Sequence, residues 1–489
     1  MADINLGVGG ANSAVAGVYD VANSLKLEPD NTEYLTRTVS TTGNRKTGTI
    51  SVWLKRAEIC ESIHQYTGAA KPQYIFEQGN TNNESGRIFA RFGGGTSSNG
   101  DKIQFQTGST VLRITTKDFR DTSAWYHFVF AIDTTQATAD DRIKIYVNGV
   151  QETLFDTSNN FSQNDDTGIN FQKQTFGYSH VDSAAPLSGY ISEAIMVDGL
   201  ALEPTAFGQF DADTGIWIPK NPSGVTFGTN GCYLDFSNSG SLGADSSGNS
   251  NTYTLNNITS VDQATTTPTN TFTTFEDKYW YQNTQVAAEA VVRKGNTHWE
   301  TTRASWWRTG FSNNAVSNGK WYAEFSPNTS TAMIGVGSID KIDGTIDSGP
   351  NTHLGASNTG AIGFYVANGR LFENGSLTIG WGGTANANDI LGIALDMDNG
   401  KVYFAINNTW QNSADPAAGT GGVSLTYPSD AYYMGVSFYG NNIFLANWGG
   451  YTDISIASGN ADANDYGNFE YAPPSGYYAL CSKNLAEFG

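Results

Sequence analysis

The chain reads as all-β: two β-sandwich (jelly-roll) domains joined by a bridge rich in Gly, Ser and Thr. Three observations predict this. Short segments that alternate apolar and polar residues recur along the chain, punctuated by Gly and Asn clusters. Among 489 residues there are 55 Gly, 24 Tyr, 26 Phe and 11 Trp, a profile of pleated sheets with many turns. Helical periodicity of useful length is almost wholly missing. Aromatics make up 12% of the chain, and their burial offsets the entropy of ordering a polymer otherwise full of Asn, Ser and Thr.

The elements follow in order. Residues 1–30 are small and flexible in composition and read as an N-terminal arm, either a free terminus or a docking segment. Residues 31–220 form the first sandwich. In TISVWLKRA (49–57) Ile50, Val52 and Leu54 share one side, and WYHFVFAID (125–133) and RIKIYVNGV (142–150) alternate likewise. Asn148-Gly149 predicts a two-residue type I′ turn. That register sets Glu152 opposite Ile145 on the apolar side, a conflict that a bulge or longer loop would relieve. GYISEAIMVDGLAL (189–202) closes the block. Residues 221–275 read as a bridge: one strand, CYLDF, then SNSGSLGADSSGNSN and the Thr-rich linker TTTPTNTFTT.

Residues 276–489 form the second sandwich, with strands in GKWYAEFS (319–326), AMIGVGS (332–338), AIGFYV (361–366), YYMGVSFY (432–439) and IFLANW (443–448). Between them lies DILGIALDMDNGKVYFAINNTW (389–410). With Asn399-Gly400 as its loop, Met397 faces Val402, Leu395 faces Phe404 and Ile393 faces Ile406, all on one side. Asp398 then faces Lys401 beside the turn.

The formal net charge of −20 excludes a basic nucleic-acid surface and opposes binding to anionic membranes, leaving divalent cations and neutral sugars as ligands. Cys60, Cys232 and Cys481 are distant and odd in number, which is no disulfide framework; they read as small apolar core residues of a chain folding in a reducing cytoplasm. The N-terminus lacks a basic start, does not read as a signal peptide, and implies an exit such as lysis.

Two stretches resemble known families. GKWYAEF, IGVGS and the 389–410 hairpin resemble the SPRY (B30.2-like) signature across residues 276–489. Asn388-Asp389 stands where that family often has Gly-Asp, and Asn408 replaces the usual Gly after Asn407. YLTRTVSTTGNRKTGTISVWLKRA, WYHFVFAID, IKIYVNG and GYISEAIMVDGLAL, in that order, resemble a laminin-G/pentraxin-like, concanavalin A-type module across 31–220. That family is a jelly roll that often binds glycans and sometimes Ca²⁺. The module order, with the DSSGNSN bridge, the TPTN linker and the terminal PPSGYYALCSKNL, is similar to virion proteins of tailed bacteriophages. The resemblance implies a structural virion protein, a tail fibre or tail-associated adhesin, made in the host cytoplasm and released by lysis. Its partners would be other virion proteins, further copies of itself, and a host-surface glycan or protein, with no nucleic acid and no membrane insertion. A capsid decoration or head-fibre protein is the first alternative and a carbohydrate-cleaving tailspike the second.

Candidate chemistry is sparse. A glycosidase needs two carboxylates about the sugar bond, and no Glu-x-Asp-x-(x)-Glu segment occurs; Glu193 has no acidic partner at its next inward position, and Asp398 has its place beside the turn. Nucleophile elbows, Cys-x-x-Cys, His-Glu-x-x-His and phosphate loops are missing, so the expectation is a protein that is not an enzyme. His64, His127, His180, His298 and His353 are scattered, and His127 falls inside a strand. Oxygen ligands for Ca²⁺ are offered by Asp165 and Asp166 and by Asp245 and Asn249, though neither group closes with the Glu of an EF-hand, and such turns form without metal. No other cofactor is expected. Glycan or protein binding points to the rim loops 339–353, with Asp343, Asp347 and Asn351, and 439–442, with Tyr439, Asn441 and Asn442, and to Trp410 at the hairpin end: aromatics stack on sugar rings and Asx side chains bond hydroxyls.

Overall fold

The computed structural model describes residues 19–59, 72–79, 86–93, 100–182, 186–276, 290–301, 307–342, 353–356 and 360–489. The chain forms two compact units that part between Thr269 and Asn270. Both are β-sandwiches, as the alternation predicts. No helix among the described residues is long and apolar enough to cross a membrane.

In the first unit two eight-stranded sheets enclose one core. Ile50, Val52 and Leu54 of strand Thr47–Arg56 and Phe128 and Phe130 of Trp125–Asp133 face Phe76, Ile88 and Phe105 of the other sheet. The rings of Phe76 and Phe130 meet edge to face at 5.1 Å. The Asn148-Gly149 loop has the expected two residues: Val147 pairs with Val150, and φ is 48° and 79° at the two positions. Glu152 does lie opposite Ile145, its N–H reaching that carbonyl at 2.8 Å. The conflict is resolved by neither bulge nor longer loop. Lys117 Nζ donates to the buried Glu152 carboxylate at 2.6 Å.

The arm and the bridge are corrected by the structure. Ser24–Leu27, inside the presumed arm, is a buried strand between Gly189–Asp198 and Gln263–Ala264. In the bridge, Cys232–Leu234 pairs with Gly189–Asp198, and Thr254–Asn256 adds an edge to the other sheet beside Tyr34–Thr38. The Thr-rich stretch is not a free linker: Thr266, Thr267 and Thr269 are buried and their polar groups are bonded, Ser24 Oγ donating to the Thr266 carbonyl at 2.6 Å. Hydroxyls that read as hydrophilic in sequence are satisfied locally, and the β-branched carbons suit a sheet.

In the second unit a nine-stranded and a six-stranded sheet share a core that includes Trp321, Phe325, Ile334, Val336, Phe364, Leu395, Phe404 and Phe438. The 389–410 hairpin forms between Leu391–Asp396 and Lys401–Ile406. Its pairing is Leu395 with Val402, Ile393 with Phe404 and Asp396 with Lys401, two residues from the expected register. The loop therefore has four residues, 397–400. Asp396 explains the shift: its carboxylate, buried and 3.0 Å from Lys320 Nζ, accepts the Asn399 N–H at 3.0 Å and so closes the turn two residues early. Asp398 does not pair with Lys401; it accepts the Gly319 N–H at 2.8 Å. Because the slip is by two, every side chain keeps its face.

Candidate ligand-binding face

The six-stranded sheet turns Ile334 and Val336 of Ala332–Ser338 into the core, so Gly335 and Gly337 point the other way. Gly335 pairs with Gly363 on one side and with Gly435 on the other, setting three glycines in a row. The bare row lets other chain lie directly on the sheet. A Cβ on Gly363 would stand 2.5 Å from the Leu354 carbonyl oxygen and one on Gly337 2.6 Å from Ile342, while one on Gly435 would clash with the ring of Phe311, its partner on the adjacent strand. Leu354 is held there by its N–H, which donates to Ser437 Oγ at 3.1 Å.

Beside this row stands an aromatic cluster. Trp307, opening Trp307–Phe311, lies 5.6 Å from Tyr365, 5.9 Å from Tyr439 and 5.1 Å from His353, whose ring meets Phe372 at 4.7 Å. Trp307 is buried. Tyr439 is 36% exposed, and Tyr365, His353 and Phe372 are half-buried. Burial lowers the His353 pKa, favouring the neutral imidazole, which the bond to the Leu354 carbonyl opposes. The turn after Tyr439 is shaped by Asn442, whose amide donates to the Tyr439 carbonyl at 2.8 Å and whose own carbonyl accepts the Thr301 N–H at 3.1 Å. Asn441 is exposed.

Of the rim residues singled out in the sequence, Tyr439, Asn441 and Asn442 thus meet at one edge of this face. Asp343, Asp347 and Asn351 lie outside the described residues. Trp410 belongs to the nine-stranded sheet, pairs with Ala405 and packs against a small separate core with Tyr322, Tyr403 and Tyr477. It covers that core and does not join Tyr439. His353 closes the 339–353 loop, but Trp307, Tyr365 and Phe372 were not foreseen; Trp307 sits in the aromatic-dense stretch 299–308, and the strand register that pairs it with Tyr439 places it here.

Of the calcium candidates, Asp245 and Asn249 have structural roles. The Asp245 carboxylate accepts N–H groups of Tyr233, Ser247 and Asn251 at 2.9, 2.9 and 2.7 Å and the Ser247 hydroxyl at 2.9 Å, and the Asn249 amide bonds the Gly228 and Gly231 carbonyls. Donors surround the oxygens a cation would need. The Asp165 and Asp166 carbonyls accept from Thr134 and Arg45. Among the described residues no three His, Cys, Asp or Glu side chains are placed to hold a metal.

A carboxylate pair does occur in the first unit. Arg87 Nη1 lies 3.5 Å from Glu77 Oε2 and 3.3 Å from Asp182 Oδ1. Burial pushes Glu77 up to about 7; Asp182, although desolvation raises it, is held below its ordinary range by Tyr74 and Arg87. The Glu77 side chain is 0% exposed, sealed among Arg87, Ser179 and His180, so the group that would serve as acid touches no open groove.

Residues 29–204 match the laminin G family model described as the concanavalin A-like lectin/glucanases superfamily. The match lies wholly within the first unit. No curated protein matches the chain. Among solved structures it is similar to the SPRY domain of human HERC1, at 16% identity and TM-score 0.25, over 32% of this chain and 91% of that one. A proposed carbohydrate binding protein from Bacteroides ovatus shares 16% identity at TM-score 0.32, over 49% and 59%. A heptameric SAP-like pentraxin from Limulus polyphemus shares 14% at TM-score 0.26, over 38% and 80%.

Proposed function

We propose that this chain is a non-enzymatic recognition protein whose second unit binds a neutral glycan at the aromatic edge of its six-stranded sheet. One observation carries the reading: the part-exposed Tyr439 ring stands against Trp307 with the exposed Asn441 next to it. A ring offers a sugar's apolar face a platform, and an amide offers its hydroxyls a donor and an acceptor. The net charge of −20 repels anionic sugars and tolerates neutral ones. A lectin-type domain in the same chain suits that role. The sealed Glu77 speaks against the hydrolase alternative.

The module order supports a finer reading, in which the protein is carried on the virion of a tailed phage as a tail-fibre-like adhesin beside other copies and other virion proteins. A capsid decoration protein is its alternative. Glycan binding is tested by titrating neutral oligosaccharides while following tyrosine ring resonances. Perturbation confined to Tyr365 and Tyr439 is the expected result, and a flat titration across a broad panel refutes the site. The virion reading is tested separately by gold-labelling intact particles, where an unlabelled particle refutes it and label on the tail or on the head separates the two versions.

A further inference from the structure

Strand Gly189–Asp198 is broken by a bulge between Ser192 and Ile195, and inside it Glu193 has φ of 48°. Bulges re-aim side chains, and a non-glycine residue at positive φ is costly to hold. Glu193 is nevertheless 3% exposed. Its Oε2 lies 3.0 Å from the Tyr19 hydroxyl and 2.8 Å from the Tyr233 hydroxyl, and those two hydroxyls are 2.8 Å apart. Tyr233 also reaches Oε1 at 3.0 Å.

Three oxygens thus form a closed triangle, every edge at hydrogen-bond length. Three edges need three protons. Two phenols supply two, and an ionised carboxylate supplies none, which would leave one edge with lone pairs facing each other inside the protein. A carboxylic acid supplies the third. We propose that Glu193, Tyr19 and Tyr233 form a proton-locked clasp: Glu193 is held as the neutral acid, and its proton closes the ring that fastens residues 19–23 to the sheet. The fastened segment makes further bonds that depend on its position, Val21 N–H to Thr269 Oγ1 at 3.0 Å, Thr269 Oγ1 to Asp20 at 2.7 Å and Ser192 Oγ to the Asn23 carbonyl at 2.9 Å.

The surroundings agree. Desolvation pushes the Glu193 carboxyl up to about 7, the phenol bonds oppose that, and Asp235 on the Tyr233 side adds to it. Strand Thr47–Arg56, across the bulge in register, brings uncharged Val52 and Trp53, and strand Ser24–Leu27 brings Leu25 opposite Ile191. An open clasp exposes Glu193 to water, where its carboxyl returns toward 4.5. Closed binds the proton more tightly than open, so closure is favoured in acid and weakens as pH rises from about 4.5 to about 7, then levels off.

The test uses the full chain. Infrared difference spectra at pH 6 between wild type and Glu193→Gln are expected to show the loss of one protonated carboxylic acid component, with the buried Glu28 and Glu77 contributing equally to both. Exchange protection of amides 21–27, corrected for the intrinsic rate, is expected to fall by up to roughly tenfold per pH unit across that window. Amides of Thr47–Arg56 report global unfolding for comparison. Glu193→Gln, whose amide keeps a donor in the ring, is expected to abolish the pH dependence, and Tyr19→Phe to lower protection at every pH. A wild-type Glu193 carboxyl titrating near 4.5, or protection of 21–27 that ignores pH, would overturn the proposal.

Discussion

Trp217 donates its indole N–H to Nδ1 of His127 at 2.9 Å. An indole nitrogen can only donate, so Nδ1 bears no proton, and Nε2 carries it toward Ser51 Oγ, 2.8 Å away. The tautomer is fixed by chemistry, and burial alone pushes the imidazole down to about 3. A base with a depressed folded pKa is protonated first in the unfolded chain, so its contribution is complete above about 6.5 and is lost as pH falls toward 3. Between pH 6.5 and 5 the loss is expected to be about 2 kcal/mol. Buried Glu28, Glu77 and Glu193, each raised to about 7, pull the other way. The measurement is therefore a difference: urea denaturation of wild type and His127→Phe at both pH values, in which the variant lacks this slope.

A second expectation concerns Gly149. Its φ is 79°, and a Cβ there would run into the Trp217 ring. Gly149→Ala combines left-handed strain with a clash against a rigid, buried indole and is expected to cost at least about 2 kcal/mol. Thermal melts of the purified variant check this. An unchanged melting temperature would mean that the turn and the indole do not pack in solution as described.

These two residues also show what was legible in the sequence and what was not. Asn148-Gly149 announced its turn because a type I′ loop needs two positive φ angles and those residues supply them. Asn399-Gly400 carried the same signal, but Asp396, buried and bonded to Lys320 and Asn399, moved the register by two. The Asn-Gly dipeptide does not report the bond that a buried carboxylate three residues earlier makes to Asn399. The face of each residue survived, because period-two alternation tolerates a slip of two. The Thr-rich bridge failed for a similar reason: composition showed hydroxyls, not their partners. At the candidate site the exposed Tyr439 and Asn441 were visible as loop residues, whereas Trp307, His353 and Phe372 come from three separate segments that only the fold brings together.

Asp396 offers a third prediction. It is fully buried, 3.0 Å from Lys320 Nζ, with the Asn399 amide group bonded at 2.9 Å. Lys320 is partly open to solvent, so the ion pair itself is worth little; the buried turn bonds carry more. Asp396→Ala is expected to destabilise the second unit by about 2–3 kcal/mol, while Asp396→Asn, which keeps an acceptor for the Asn399 N–H, loses about half of that. Hydrogen exchange at Lys401–Ile406 locates the effect. Equal losses in the two variants would assign the stabilisation to charge.

The last prediction separates binding from folding within the aromatic cluster. Tyr439 and Trp307 touch, but they stand on different sides of the solvent boundary. Trp307→Ala removes a buried indole that contacts Tyr365, Tyr439 and His353, and is expected to cost about 3–5 kcal/mol and to lower binding only through that disorder. Tyr439→Ala removes a ring already part-exposed and is expected to cost about 1 kcal/mol of stability or less. If sugar stacks on that ring, the same change lowers affinity by about tenfold or more, because the platform goes while the sheet beneath it stays. Tyr439→Phe keeps the platform and is expected to keep most of the affinity. Calorimetric titration of the three folded variants with a bound neutral oligosaccharide decides the matter, since affinity that tracks melting temperature and not the Tyr439 ring would place the ligand elsewhere.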